Sequence, residues 1–357
     1  MGQLIWKKLT GEKGRRIVGA ILFLVIAARL FMSVTYLFRN TGVDRINVVG
    51  IKEEQNLDVV YIGGSALYAY WQPLKAWSDY GYTSYNLGTS GVLAEALEYY
   101  VRYALKYQKP DLIVMDARPF CYYGAEYGVE PWIRNSVDSM DFFSLDRIAL
   151  AKRFGDYRAD EIDFPMLALY IDIFAYHARP ANLGDPEAWQ LIRNTGSSPD
   201  KGYAGYQGVV PCDQTEFETD ERIELPGDGK SMELLISLLD YLREEDLNVL
   251  FVVTPAQTDT SEQAKYNTIM DTVNAYGYGF LNINEYYEEI GIDFAKDFQD
   301  PAHVNCLGAE KVTAFLEDYL EEHYDLPDHR GETGYEDWNL QAIRFAEEEE
   351  ERRAIIR

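Results

Sequence analysis

Five short apolar runs constrain this chain more than any other feature. They lie at residues 58–63 (DVVYIG), 83–88 (TSYNLG), 111–115 (DLIVM), 248–253 (NVLFVV) and 279–283 (GFLNI). Residues 83–88 read as a short strand ended by Gly88; each of the others is too short for a buried helix and lacks the alternation of a half-solvated strand, so it reads as a strand covered on both faces. Amphipathic stretches separate them. Residues 93–108 put Leu93, Leu97, Tyr100, Val101, Ala104 and Leu105 on one helical face. Residues 65–71, 231–244, 261–276 and 309–323 also read as helical. Strands alternating with helices predict an α/β protein built on a doubly wound parallel sheet.

Residues 120–230 break this rhythm. They are rich in aromatic residues, Gly, Pro and Asp, and include Gly202-Tyr203-Ala204-Gly205-Tyr206. They read as an insertion that covers the carboxyl edge of the sheet, as a lid does. Residues 39–56 read as a polar linker, and 57–325 as the main domain. The tail, 326–357, reads as a solvated charged helix or disordered chain, with Glu347 to Glu351 followed by Arg352-Arg353.

At the amino end, residues 17–38 (IVGAILFLVIAARLFMSVTYLF) are about as long as a membrane-crossing helix. The single charge is Arg29, past the middle. A central Arg costs roughly 2.5–3.5 kcal/mol on insertion scales, and from this place its side chain reaches toward the interface. Lys7, Lys8, Lys13, Arg15 and Arg16 precede the stretch. By the positive-inside rule they keep residues 1–38 as a cytoplasmic stub and anchor, with all that follows on the other side. Two other readings stay open: a cleaved signal peptide with a weak site at Val25-Ile26-Ala27, and a buried helix of a soluble protein.

The formal net charge is −26, although the first sixteen residues are basic. So acidic a body repels nucleic acid, and no nucleic-acid partner is expected. The 28 Tyr fit either a groove for sugars or rings half-buried along helices and strands. Cys121, Cys212 and Cys306 stand far apart with no CxxC, so neither a zinc site nor a disulfide framework is predicted. No GxGxxG or P-loop pattern stands at a strand–helix junction, and no cofactor or metal is expected.

In an open parallel sheet, ligands bind beyond the carboxyl ends of the strands. Four segments fall there: Gly63-Gly64-Ser65, Asn86-Leu87-Gly88, Asp116-Ala117-Arg118 and Asp300-Pro301-Ala302-His303. Together they allow nucleophilic acyl transfer. The Ser65 hydroxyl needs a base, which His303 supplies, and a carboxylate three residues earlier reaches the other ring nitrogen. Backbone N–H groups at Gly64-Ser65 and Gly88 are candidates for an oxyanion hole, and Asn86 and Arg118 for substrate contacts. Taken singly these signals are weak. Gly-Gly-Ser is a common turn, and Asp300 alone is equally a helix-start cap. The G-x-S-x-G elbow of α/β-hydrolases is absent.

The set YIGGSAL, NLGTSG and FQDPAHVNCLGAEK resembles the SGNH hydrolase superfamily. It looks most like the membrane-anchored extracytoplasmic branch that includes the teichoic-acid D-alanylation protein D and polysaccharide O-acetyltransferases. The resemblance covers roughly residues 57–120 and 231–323. It implies a flavodoxin-like sheet, Ser65 as nucleophile, Gly88 as an oxyanion donor, and Asp300 and His303 as acid and base of a triad. Two places depart from the pattern. Gly64 stands where the family usually has Asp. Arg118-Pro119 occupies the third block, where the family usually carries an oxyanion-hole Asn. Arg118 either takes over as an oxyanion or phosphate ligand or is a structural partner of Asp116.

The resemblance therefore implies acyl transfer or ester hydrolysis on a cell-envelope polysaccharide or teichoic acid. A multipass membrane acyltransferase is the implied acyl-delivering partner. The competing reading is a catalytically weak SGNH-type module that binds or scaffolds envelope polymer.

Overall fold

The computed structural model describes residues 11–36, 43–123, 129–141, 144–177, 184, 198–214 and 216–356. The chain divides into two compact units, residues 1–41 with 164–195, and residues 42–163 with 196–357.

In the first unit, helix α1 (Glu12–Tyr36) dominates the described residues. An 18-residue window within Glu12–Thr35 has a mean hydropathy of 2.5, and none of that window is buried. It is long and apolar enough to cross a membrane. The rest of the described unit includes single helical turns at Leu167–Tyr170 and Ile173–Tyr176.

The second unit opens with a short helix, α2 (Val43–Gly50). Strand β1 (Val59–Gly63) leads into α3 (Ser65–Tyr70) and α4 (Pro73–Tyr80). Then come β2 (Ser84–Gly88), α5 (Ala94–Tyr107) and β3 (Leu112–Asp116). A 3-10 turn at Arg118–Cys121 precedes α6 (Val129–Ser139) and α7 (Leu145–Arg158). The alternation resumes with α8 (Lys230–Glu244), β4 (Val249–Val253), α9 (Thr260–Ala275) and β5 (Gly279–Asn282). A small hairpin, β6 (Phe298–Asp300) and β7 (His303–Val304), leads into α10 (Cys306–His323) and α11 (Glu336–Ile356).

Strands β1 to β5 form one parallel sheet in the order β2-β1-β3-β4-β5. Every residue of β1 through β4 is buried, as expected of a parallel sheet covered on both faces. Helix α8 shows how the cover works. Leu234, Leu235, Leu238, Leu239 and Leu242 recur at helical spacing, and all are buried. Each such leucine is worth roughly 1.5–3 kcal/mol relative to an exposed one. Helix α9 starts where a capping box forms, with Asp259 and Glu262 satisfying each other's backbone N–H groups. The strand order reverses direction between β1 and β3, so the switch-point crevice opens over the ends of these two strands. Ser65 follows the first and Asp116 ends the second.

Three segments differ from the sequence expectation. Residues 43–50, expected as linker, are helical, and Val48, Val49 and Ile51 are buried. The tail is not a solvated appendage. Helix α11 packs on α4 and buries Trp338, Ala342 and Phe345, while Trp77 lies 5.3 Å from Trp338 between ring centroids. The expected insertion is not one continuous piece. Its flanks fall in the second unit, its middle falls with α1, and 124–128 and 185–197 lie outside the described residues. All three cysteines are free and buried.

Candidate active site

Close packing at the ends of β1, β2 and β3 creates the turn that carries Ser65. A Cβ on Gly88 would stand 2.2 Å from the Gly63 carbonyl oxygen, and one on Gly63 would stand 2.5 Å from Cβ of Asp116. Only glycine at these two places lets three strand ends converge. Gly64 follows in extended backbone as the N-cap of α3, and Ser65 is the first helical residue. Its N–H lies in the first helical turn, where no intrahelical acceptor exists. Position 64 itself has room for a side chain, since a Cβ there would meet nothing nearer than 3.7 Å. Stacking of Tyr61 on Trp71, and the Trp71 Nε1–H donated to Ser84 Oγ at 3.3 Å, fix α3 to the sheet.

The candidate base, His303, stands on the β6–β7 hairpin. Asp300 and His303 are paired across its two-residue turn, so their side chains meet. His303 Nδ1 lies 2.9 Å from Asp300 Oδ1 and 3.0 Å from Oδ2. The Ala302 N–H also donates to Asp300 Oδ1, at 2.9 Å. Nε2, the other ring nitrogen, lies 2.7 Å from Ser65 Oγ. A carboxylate only accepts, so Nδ1 carries the hydrogen and Nε2 is free to accept the serine proton. Burial lowers the proton affinity of His303, the nearby Arg118 guanidinium lowers it further, and together they outweigh the bonded Asp300. The imidazole is therefore neutral at neutral pH, as a base must be.

Other residues hold this hairpin. The Gln257 N–H donates to the Pro301 carbonyl at 2.9 Å. The buried Tyr70 hydroxyl bonds to the carbonyls of Pro255 and Ala302, the latter at 3.1 Å. Asn305 caps α10 through Leu307 N–H and Gly308 N–H, and its own amide donates to the carbonyls of Gly208 and Lys296. Tyr206 presents its ring edge-on to His303, with centroids 5.9 Å apart. Sequence reasoning assigned no role to Tyr70, Tyr206 or Asn305. The Asn before a helical run was a readable capping signal. The other two act through contacts between distant parts of the chain, which no local pattern encodes.

Arg118 lies close by, with its side chain 5% exposed and Nε 3.5 Å from Asp116 Oδ1. Asn86 does not belong to the site surface. It is fully buried, its amide donates to the Trp71 carbonyl at 2.9 Å, and Lys201-Gly202 cover its backbone. It is withdrawn from the candidate substrate contacts, because a wall of packed chain separates it from solvent. No cluster able to hold a metal ion is found among the described residues. The site is open on one side, since the Asp300 side chain is 44% exposed. No protein-family model matches this chain, and no curated protein matches it.

Proposed function

We propose that this chain is a serine-dependent acyltransferase or esterase of SGNH type, acting on a cell-envelope polysaccharide or teichoic acid. The observation that carries this reading is the continuous relay Ser65 Oγ–His303 Nε2 and His303 Nδ1–Asp300, at 2.7 and 2.9 Å. Ser65 Oγ attacks the ester carbonyl carbon while its proton passes to His303 Nε2. The carbonyl π pair moves onto oxygen. Collapse of that oxyanion breaks the bond to the leaving alcohol, which takes the proton from His303 and departs. A hydroxyl of the polymer, or water, then gives its proton to the same nitrogen and attacks the acyl-serine, and Ser65 is regenerated. N–H groups of the Gly64-Ser65 turn and of Gly88 are the proposed backbone donors to the oxyanion.

Helix α1 supports a single-pass anchor that holds the domain on the extracytoplasmic side, where polymer is abundant. A multipass membrane acyltransferase is the proposed acyl donor for transfer. The half-open triad favours a bulky acceptor such as a polymer chain over a deeply enclosed small ester. The second reading, a polymer-binding module without turnover, is favoured by the absence of the third-block Asn. Turnover of p-nitrophenyl acetate separates the two. Activity that disappears in His303→Ala supports the enzyme, and binding of envelope glycan with no turnover in the unmodified protein supports the module.

A further inference from the structure

After β3 lies a buried positive charge that the triad leaves unused. Arg118 lies two residues past the end of β3, is only 4% exposed, and its Nε has no hydrogen-bond partner among the described residues. Its one ion-pair partner there, Asp116, stands 3.5 Å from Nε, too far for a good hydrogen bond. That same Asp116 oxygen already accepts the Arg118 backbone N–H at 3.0 Å. The Nε–H is thus dehydrated and has no hydrogen bond, with Asp116 only partly compensating the charge. A buried cation normally saturates its donors, because an unmade bond in a dry site is expensive. A donor held idle at such a place suits an anion that is present only during the reaction.

The placement fits that anion. Asp116 Oδ2 lies 3.9 Å from where a side chain on Gly64 would begin, so the pair underlies the turn that carries the nucleophile. The hydroxyl of Tyr70, one of the rings within the field of Arg118, is bonded to the Ala302 carbonyl next to His303. Arg118 therefore lies near the serine turn through Asp116, and its charge reaches His303 on the hairpin. Burial lowers its proton affinity, but the surrounding acidic groups, Asp116 among them, more than restore it, and it stays charged.

We infer that Arg118 donates guanidinium N–H bonds to the oxyanion formed when Ser65 attacks its ester, so that a fixed charge takes a large share of transition-state stabilisation. This rests on Ser65 being the nucleophile. Asp116 balances the charge in the resting site, and the balance tips only when the oxyanion appears, which is the differential binding that accelerates a reaction.

The test compares the unmodified full-length protein with Arg118→Gln, Arg118→Lys and the double variant Asp116→Asn with Arg118→Gln. Asn at 116 still accepts the backbone N–H, and the double variant leaves no unpaired buried charge, so it folds even where Arg118→Gln alone does not. Thermal melting verifies each fold. Readouts are kcat and KM for p-nitrophenyl acetate and the rate at which a fluorophosphonate labels Ser65. Loss of one oxyanion donor predicts kcat lower by about 10²–10³-fold with KM little changed, in the double variant as in Arg118→Gln. Arg118→Lys retains the charge without the planar fork and recovers only part of the rate. Recovery of the unmodified kcat in the double variant makes Arg118 a structural partner of Asp116 and overturns the inference alone. An unmodified protein that the fluorophosphonate does not label at Ser65 overturns the nucleophile assignment, and the inference with it.

Discussion

Asp300 and His303 face each other across a two-residue turn, with Nδ1 2.9 Å from Oδ1, and the same carboxylate oxygen accepts the Ala302 N–H. Acid and base are therefore one rigid local unit, and only the approach of Ser65 depends on distant chain. Replacing Asp300 by Asn keeps the shape but presents an amide to Nδ1, which favours the wrong tautomer. On the analogy of serine proteases, kcat falls by about 10⁴-fold in Asp300→Asn. Steady-state kinetics of the purified variant check this, with circular dichroism to show that the fold is retained.

The pH profile follows from the environment of His303. Burial, first of all, and the Arg118 charge hold its pKa below the usual histidine value, against the pull of Asp300. Activity requires the neutral ring. It is therefore full above that lowered pKa and is lost as pH falls through it. The acid limb of kcat/KM should have its midpoint below about 6.5, the unperturbed value. In Arg118→Gln one depressing influence is gone, and the midpoint moves up.

Glu317 on α10 makes stability depend on pH. Burial, followed by the neighbouring Asp79 carboxyl, pushes its pKa up to about 8, although Lys75 donates to it at 2.5 Å. The unfolded chain has this group near 4.3, so the folded state holds a proton that the unfolded state releases. The resulting stability is present below about pH 4.3 and is lost as pH rises toward 8. Glu317→Gln removes this dependence. Between about pH 5 and 8, the melting temperature of the unmodified protein should fall more steeply than that of the variant.

A buried ion pair braces the chain after the Arg118 turn. Arg158 on α7 and Glu95 on α5 are both without exposed side-chain surface and lie 2.5 Å apart, and Arg158 also donates to the Tyr122 carbonyl at 2.9 Å. Removing Glu95 leaves the buried Arg158 with only the Glu161 carboxylate at 3.1 Å and the Tyr122 carbonyl. Glu95→Ala should destabilise folding by about 3–5 kcal/mol, whereas replacing both residues by apolar ones of similar volume costs far less. Urea unfolding followed by tryptophan fluorescence measures both.

The sheet was legible because most of its strands are short, continuous apolar runs, as in β1, β3 and β4, and such runs have few alternatives. The docking of α11 was hidden because Trp338, Ala342, Phe345 and Glu349 form a buried stripe whose last member is an acid. Glu349 is tolerated there because Gln72 and Arg352 bond to it. The structure brings together Ser65, Asp300 and His303, which the sequence singled out by their place after strands and by resemblance. Sequence reasoning misjudged Asn86, since lying at a strand end does not reveal which way a side chain turns. It left Arg118 open between two roles, because burial and an unfilled donor are properties of packing rather than of spacing.

An acyl group caught on Ser65 speaks most directly to the central claim. The protein is mixed with p-nitrophenyl acetate, quenched in acid within the burst, digested, and its peptides are weighed by mass spectrometry. The account predicts an added acetyl on the peptide that contains Ser65, absent from Ser65→Ala and much reduced in His303→Ala. Burst release of p-nitrophenol with the acetyl on another residue, or with no covalent adduct at all, would contradict it.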